Sequence, residues 1–485
     1  MTTFYLLILF MLPAVMAVGI AIPRRRELSA QWIGELVIAT ALLVLGAMLA
    51  LCRLPVGTVI VSPVVGLSFT FGGFQRLYGL VVCFMWLICA MLSPQYFRGH
   101  RHLRRYYFFF LICLSFTLGV FLSADLKTTF LFFELMSLGS YVWVVQEETP
   151  EALEAGKTYL TIAVLGGLVT LMGLFLLQHL TGTLVLSELK DACAAVTDRT
   201  ALWWAALCVF FGFAAKAGVF PLHIWLPKAH PVAPAPASAL LSGIITKAGV
   251  IGIIRVLYFI AGPSVLRGTW VQTACLLLAL GTVFMGSMLA YGERDFKKRL
   301  AYSSISQISY VLTALFLLTE DGLTGGLLQV FFHAWAKIGL FLIAGVIIHL
   351  AGLRNVEDFR GLGRRLPVTF LCLVFVSLSL VGIPPFGGFV SKWAISLAAL
   401  DGLGGPLAYL VPAVLLVSAL LTAGYLFAPI VSGFFPGEGF TGEPRLREPP
   451  AMTLPLVVLA AVCLVLGLFP DRLTALFQSL AAQVL

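Results

Sequence analysis

Five ionisable side chains lie within stretches of sequence that are otherwise apolar, and they are the residues best suited to chemistry. They are one glutamate and four lysines, namely Glu134, Lys216, Lys247, Lys337 and Lys392. A charged group at the centre of a lipid bilayer costs ~2.5–3.5 kcal/mol on insertion scales. We therefore expect all five side chains to face the interior of a helix bundle, close to one another or to water.

The use of lysine rather than arginine at the four cationic positions favours proton transfer. Desolvation lowers the pKa of a buried lysine and raises that of a buried glutamate, whereas arginine remains protonated in proteins. Arg255 lies near the end of an apolar stretch and is expected in a loop, so no arginine should join the interior lysines. This pattern indicates a proton relay within the membrane.

These residues also have purely structural interpretations, except that Lys247 lies near the middle of its predicted helix, from where snorkelling is hard. Glu134 would then only accept hydrogen bonds, and Lys216 would cap carbonyl groups freed by a nearby helix break. His333 precedes Lys337 by one helical turn on the same face, and the two would form a satisfied polar pair in the core. Lys392 would extend to the membrane interface by snorkelling.

Proline and glycine interrupt two of the apolar stretches. The first interruption follows Lys216 and contains Pro221, and the second contains Pro384 and Pro385. Breaks of this kind free backbone groups that lipid cannot satisfy, so they should face protein or a water-filled cavity. Interruptions at corresponding places in two halves of a chain also indicate inverted repeats, with the ion-binding site at the breaks.

Two histidines, His223 and His230, lie close to the first break on either side of Pro227. Because histidine changes its charge near neutral pH, both are candidates for a proton entry path. The alternative is a plain hydrogen-bonding role, which is common for histidines beside loops.

The composition places these residues in a membrane protein. Of the 485 residues, 60% are hydrophobic and 11% are charged, against about 45–50% and about 25% in soluble domains. Apolar windows of spanning length predict an all-α integral membrane protein with about 14 transmembrane helices. The nine cysteines form no C-x-x-C pair, so we expect no metal site, no disulfide framework and no bound cofactor.

We expect a single membrane domain over residues 1–485, built around two inverted five-helix repeats with broken helices 7 and 12. The halves share little residue identity, so the repeats are inferred from the paired breaks alone. The predicted parts are helices 1–3 at 1–105, repeat one (helices 4–8) at 106–260, repeat two (helices 9–13) at 269–433, and helix 14 at 452–485.

Basic residues predict the orientation of these helices. The odd-numbered loops contain most of the 31 lysines and arginines, beginning with Arg24, Arg25 and Arg26. The positive-inside rule assigns such loops to the cytoplasm, so both termini are expected on the outer side of a bacterial or archaeal plasma membrane. The net charge of +9 then needs no nucleic-acid partner. Because basic residues follow the first apolar stretch, we expect a retained helix rather than a signal peptide.

Several stretches resemble the antiporter-like subunits of respiratory complex I, group 4 membrane-bound hydrogenases and Mrp-type cation/proton antiporters. The resemblance covers roughly helices 4–13, and its strongest part is Lys216-Ala-Gly-Val-Phe-Pro-Leu-His-Ile-Trp-Leu-Pro-Lys-Ala-His230. It also includes Phe133-Glu134-Leu-Met-Ser, Ala301-Tyr-Ser-Ser-Ile-Ser-Gln307, His333-Ala-Trp-Ala-Lys337 and Gly382-Ile-Pro-Pro-Phe-Gly-Gly-Phe-Val-Ser-Lys392. Each motif alone is weak, but their combination is typical of this family.

The resemblance implies a role for each matched residue. Glu134 and Lys216 match the charge-tuning pair on helices 5 and 7, and Lys247 is similar to the central lysine of helix 8. His333 and Lys337 match the helix 11 pair that carries protons onward.

Lys392 resembles the terminal lysine of helix 12, at the exit half-channel. The resemblance also implies partners: homologous antiporter-like subunits, redox-module subunits, lipid, and protons or Na+ as the transported ion. The chain itself would hold no redox cofactor and no catalytic residue.

Four functions are compatible with these observations. The first is a proton-translocating subunit of a redox-driven complex, similar to NADH:quinone oxidoreductase or a membrane-bound hydrogenase. The second is a subunit of an Mrp-type multisubunit Na+/H+ antiporter. The others are a self-sufficient transporter of an organic solute, for which no solute pocket is evident, and a structural anchor. Five buried ionisable groups make a plain anchor costly.

Overall fold

Helices form most of the chain in a computed structural model, which confirms the all-α membrane class. The basic residues Arg24, Arg25 and Arg26 lie outside the described part of the chain. The structure describes residues 2–22, 29–62, 66–438, 440 and 444–485.

The helices of the first half include one continuous helical segment, Ala235–Ala261, in which two π-helical turns, Leu241–Ile245 and Val256–Ala261, flank a regular helix. The helices of the first half are α1 (Thr2–Ala21), α2 (Ala30–Leu51), α3 (Gly73–Tyr96), α4 (Leu103–Leu122), α5 (Leu126–Val144), α6 (Pro150–Thr181), α7 (Leu186–Ala195), α8 (Arg199–Ala217), α9 (Trp225–Val232), α10 (Ala235–Leu240) and α11 (Thr246–Arg255).

The helices of the second half follow Ala261, and two 3-10 turns at Leu222–Ile224 and Val356–Phe359 complete the helical structure. They are α12 (Pro263–Leu266), α13 (Trp270–Gly292), α14 (Phe296–Leu315), α15 (Glu320–Ala351), α16 (Leu362–Arg365), α17 (Pro367–Val381), α18 (Gly387–Gly402), α19 (Pro406–Phe434), α20 (Pro450–Leu468) and α21 (Asp471–Val484).

A β-hairpin between α2 and α3 is a local departure from the all-helical prediction. Its strands, β1 (Thr58–Ser62) and β2 (Leu67–Thr70), pair antiparallel. Their sequences are rich in Thr, Val, Ile and Phe, which fit a pleated surface better than a helix. Backbone pairing between Phe69 and Ser123 joins the hairpin to the end of α4.

Eleven helical segments in the described residues are long and apolar enough to cross a membrane, so this is a multi-pass membrane protein. The number of about 14 spans stays a prediction. The remaining predicted spans correspond to α5, α14 and the α17–α18 pair. Helices α5 and α14 carry polar and charged side chains, and the break divides the last span into two short helices.

The chain forms two compact units. The first contains the residues up to Ala217 together with Val232–Gly262, and the second contains Gly218–Pro231 together with Pro263–Leu485. The main boundary therefore lies between the two predicted repeats, and the segment after the first helix break belongs to the second unit. The predicted division into one domain with two repeats stays a prediction.

The two units contain the same helix-start motif at a spacing of 170 residues. Asp125 caps α5, and Asp295, 170 residues later, caps α14 in the same way. Each aspartate also forms an isolated antiparallel bridge, with Val185 and with Asn355, which are again 170 residues apart. The units thus share a local backbone framework that residue identity does not reveal.

The helices that follow these motifs match as well. Both α6 and α15 have 32 residues, and their N-caps, Thr149 and Thr319, are 170 residues apart. Both end in a left-handed glycine, Gly182 in the first unit and Gly352 in the second. This common register supports the predicted repeats, whose relative orientation stays a prediction.

A buried polar network holds the start of α5 in the first unit. Asp125 accepts hydrogen bonds from Ser68 Oγ, the Thr128 amide and Thr128 Oγ1. Arg255, on α11, donates to Ser123 Oγ at 3.1 Å and lies within electrostatic range of Asp125. The expectation that Arg255 belongs to a loop is wrong, because it is 4% exposed within a helical segment and these acceptors satisfy it.

We predict that Asp125→Ala lowers the free energy of unfolding by about 3–5 kcal/mol, because a buried arginine loses its compensating charge. Thermal unfolding of the purified protein in detergent, followed by tryptophan fluorescence, measures the effect. The control is Asp198→Ala, which removes an exposed cap of α8 and should cost about 1 kcal/mol. Equal losses of stability in the two variants would contradict the prediction.

Candidate functional site

Lys216 is held at the end of α8 by a tyrosine that the sequence did not single out. The buried Lys216 Nζ donates a hydrogen bond to Tyr159 Oη on α6 and lies 4.6 Å from the centre of the same ring. The Tyr159 hydroxyl is in turn 2.6 Å from Ser140 Oγ on α5. A hydroxyl pair thus links Lys216 to two neighbouring helices.

Glu134 lies on α5, half-buried and within electrostatic range of Lys216. Its Oε1 atom is buried and accepts no hydrogen bond from the described residues. A carboxylate that only braced the fold would be expected to have its buried oxygens satisfied. The geometry therefore favours an electrostatic role for Glu134 over a structural hydrogen-bonding role.

Lys247 folds back onto its own helix at a π-helical turn. Lys247 Nζ donates to the Ser242 carbonyl and lies 3.4 Å from Thr246 Oγ1. Single π turns often occur at functional sites because they widen the helix and reorient its backbone groups. In the described part of the chain, no carboxylate lies within ion-pairing distance of this ammonium group.

In the second unit, α15 carries His333 and Lys337, and both are buried. Lys337 Nζ donates to the Leu300 carbonyl on α14 at 2.8 Å. His333 lies beside Gln307 and Gln329 in the interior of the unit. The two residues therefore face the interior of their unit, as predicted from their spacing.

Lys392 follows the second helix break and faces back toward it. Its Nζ donates to the Leu380 and Val381 carbonyls at 2.8 and 2.7 Å, and lies 5.0 Å from the Tyr310 ring. Snorkelling is wrong for Lys392, because the residue is buried. The capping of freed carbonyls, considered for Lys216, is performed by Lys392.

The proline residues lie where the sequence predicts helix breaks. Pro221 lies between the end of α8 and the start of α9, and Pro384 and Pro385 lie between α17 and α18. The Phe220–Pro221 and Pro384–Pro385 peptide bonds are cis. Lys216 and Lys392 each lie within two helical turns of a break, so both lysines are close to backbone that is not helical.

The two candidate entry histidines differ in their surroundings. His223 is half-buried in the 3-10 turn of the first break, where its ring stacks on Phe220. His230 is fully buried on α9, and its ring stacks on Phe341 at 4.7 Å between ring centres. Of the two, only His223 is partly exposed at the surface of the chain, which favours it as the outer residue of an entry path.

Comparison with known proteins assigns the chain to a family. Residues 123–422 match the family described as NADH:quinone oxidoreductase/Mrp antiporter, transmembrane. The chain belongs to this family. It is 32% identical over 408 residues to NADH-quinone oxidoreductase subunit N of Desulforudis audaxviator, covering 81% of this chain and 80% of that protein. It is 29% identical to a Na(+)/H(+) antiporter subunit of Alkalihalophilus pseudofirmus, covering 85% and 82%.

A solved structure has the same fold over nearly the whole chain. It is a chain of the Mrp complex from Dietzia sp., with a TM-score of 0.87 and 27% sequence identity, covering 99% of this chain and 98% of that one. The antiporter-family match includes every predicted relay residue, from Glu134 to Lys392. The similarity to antiporter and oxidoreductase subunits confirms the family predicted from the motifs.

Sequence reasoning missed a second polar group in this antiporter-family chain. Gln329 Nε2 donates to Gln307 Oε1, and Ser391 Oγ donates to Gln329 Oε1, both at 2.6 Å. Gln329 lies one turn before His333 on α15. Its spacing of four residues places it on the same helix face as His333 and Lys337, so the sequence could have indicated it. No comparable signal marks Tyr159, because one tyrosine in an apolar helix is ordinary.

We predict that Tyr159→Phe slows proton transport about tenfold, because a buried ammonium group loses a hydrogen bond worth about 1.5–3 kcal/mol while its aromatic contact stays. Dye quenching in inverted membrane vesicles from host cells measures the initial rate. Tyr409→Phe, at an exposed position on α19, is the matched control and should leave the rate unchanged. Equal rates in both variants would argue against a role for the Tyr159 hydroxyl.

Proposed function

We propose that this chain translocates protons as an antiporter-like subunit of a redox-driven membrane complex similar to NADH:quinone oxidoreductase or a membrane-bound hydrogenase. The observation that carries the proposal is the burial of all four interior lysines, which are 0–9% exposed. Among the described residues, Lys247 and Lys392 donate to uncharged acceptors and to no carboxylate. An ammonium group without an ion-pair partner gives up its proton more readily than a paired one.

The relay begins in the first unit. Glu134 stabilises the proton on Lys216 through their electrostatic interaction. Because Glu134 is half-buried on α5, a neighbouring subunit can act on it and weaken that interaction. Lys216 then loses its stabilisation, and its proton moves to Lys247.

From Lys247 the proton passes to His333 and Lys337, and then to Lys392. The broken helices supply half-channels to the two sides of the membrane, with His223 and His230 on the entry side at the first break. Lysine suits these steps because its proton can leave, whereas arginine would hold it. Buried Arg255 is accordingly assigned to structure and not to the relay.

We predict that Lys247→Ala abolishes proton transport by the intact complex, because the relay loses its only carrier between Lys216 and His333. The measurement is the initial rate of acidification of inverted membrane vesicles on addition of the electron donor. Lys157→Ala is the control, since Lys157 is exposed and forms a surface ion pair with Glu154. Undiminished transport in Lys247→Ala would remove the relay.

The runner-up is a subunit of an Mrp-type Na+/H+ antiporter: one relative above is named as a Na(+)/H(+) antiporter subunit, and one solved structure is that of an Mrp complex. Both alternatives imply other membrane subunits as partners, among them homologous antiporter-like chains. Only the redox-driven alternative implies subunits that carry redox cofactors, since this chain is proposed to carry none. Its enzymatic role would then be that of a non-redox subunit within a translocase.

Purification in mild detergent distinguishes the two alternatives. We expect subunits of an oxidoreductase to copurify with this chain, and transport to require an electron donor and no Na+. A set of small antiporter subunits, together with Na+-dependent proton movement that needs no donor, would support the antiporter instead. Transport of an organic solute by the single purified chain would support the third alternative.

The cellular setting is part of the proposal. The basic residues of the odd-numbered loops favour a bacterial or archaeal plasma membrane with both termini on the outer side. This orientation rests on the predicted even number of spans, because one additional or missing helix would place the termini on opposite sides.

A further inference from the structure

The spacing of 170 residues aligns α5 and α6 with α14 and α15 and reveals an exchange of side chains. Glu134 on α5 corresponds to Ser304 on α14, and Gly167 on α6 corresponds to Lys337 on α15. At these aligned positions, each pair of helices thus carries one ionisable side chain and one small residue. In the first unit the ionisable side chain is an acid on the first helix of the pair, Glu134 on α5. In the second unit it is a base on the second helix, Lys337 on α15.

In the first unit, the small residue lies directly against the ionisable one. A Cβ atom placed on Gly167 would lie 2.6 Å from Glu134 Oε2 and 2.7 Å from both the carboxyl carbon and Oε1. Contacts this short, below 3.0 Å, require one of the two groups to move. The carboxylate therefore occupies the space that any larger residue at 167 would need.

In the second unit, the small residue and the lysine share one acceptor. Lys337 Nζ and Ser304 Oγ donate to the same Leu300 carbonyl, at 2.8 and 3.0 Å. The aligned pairs are therefore close in both units. A long side chain from one helix occupies the space left by a short residue on the other.

Neighbouring glycines of α6 serve a different purpose. A Cβ atom on Gly166 would first meet Ala215, and one on Gly173 would meet Cys208 and Val209, all on α8. Those glycines allow close helix packing. The three heavy atoms nearest to a Cβ on Gly167 all belong to the Glu134 carboxyl group. Helix packing therefore does not explain the glycine at this position.

We propose that Gly167 is a positioning residue for proton transfer, because the absence of its side chain sets the location of the Glu134 carboxylate relative to Lys216. The inference rests on the proposed function, in which that carboxylate stabilises the proton on Lys216. A methyl group at 167 displaces the carboxylate without changing any ionisable residue. We expect it to leave the fold in place, because the three heavy atoms nearest to the added methyl group belong to the end of one flexible side chain.

The first test is Gly167→Ala in the intact complex, with proton transport measured in inverted membrane vesicles. We expect at least a roughly tenfold fall in the initial rate, with normal assembly and thermal stability. Gly46→Ala is the matched control, because Gly46 lies within α2 of the same unit and a Cβ there meets nothing within 4 Å. Transport at the wild-type rate in Gly167→Ala overturns the proposal.

The second test is rescue by a shorter acid. Glu134→Asp withdraws the carboxylate by one carbon–carbon bond, about 1.5 Å, which makes room for a methyl group at 167. We expect the Gly167→Ala/Glu134→Asp double variant to transport faster than Gly167→Ala alone. A double variant no faster than Gly167→Ala overturns the proposal, because the loss would then be a general packing defect.

Glu134→Gln separates this inference from the proposed function. If Glu134→Gln transports at the wild-type rate, the relay itself is wrong and the position of the carboxylate has no consequence. If Glu134→Gln is inactive and Gly167→Ala transports normally, the relay survives and only the role of Gly167 is wrong.

Discussion

The structure depends on satisfying ammonium groups that have been removed from water. A buried lysine needs hydrogen-bond acceptors, and a regular helix has already used its carbonyl groups. Lys247 reaches a carbonyl at a π-helical turn, Lys392 reaches two at a helix break, and Lys216 reaches the Tyr159 hydroxyl. Irregular backbone therefore provides the acceptors for Lys247 and Lys392, whereas Lys216 uses a side-chain hydroxyl and Lys337 uses the Leu300 carbonyl of α14.

The two units use one backbone framework for different electrostatics. Besides exchanging the ionisable side chain between aligned helices, they exchange a buried arginine. Arg255 on α11 donates to Thr129 on α5 in the first unit. In the second unit, Arg299, aligned with Thr129 on α14, donates to the Tyr425 carbonyl on α19 at 2.8 Å. In each unit a guanidinium group thus joins the corresponding two helices, but the arginine lies on α11 in the first unit and on α14 in the second. Because the arginines are not at aligned positions, residue identity conceals the correspondence.

Some elements were predictable because bilayer physics imposes them directly. Insertion cost makes each interior lysine conspicuous in an apolar stretch, and proline and glycine mark the helix breaks without any tertiary information. The interior position of Arg255 was missed, because proximity to the end of an apolar window resembles an interfacial location. Its acceptors, Ser123 and Thr129, lie 132 and 126 positions earlier in the chain, and only folding brings them together.

The sequence by itself determined the membrane class, the family, the buried lysines and the two breaks, since each depends on local composition or spacing. The tertiary structure alone decided what each ionisable group contacts. Tyr159 beneath Lys216, Gly167 against Glu134, and the glutamine pair beside His333 all join separate helices. Such contacts depend on how helix faces meet, and an apolar helix can turn any of its faces toward a neighbour at similar cost in lipid.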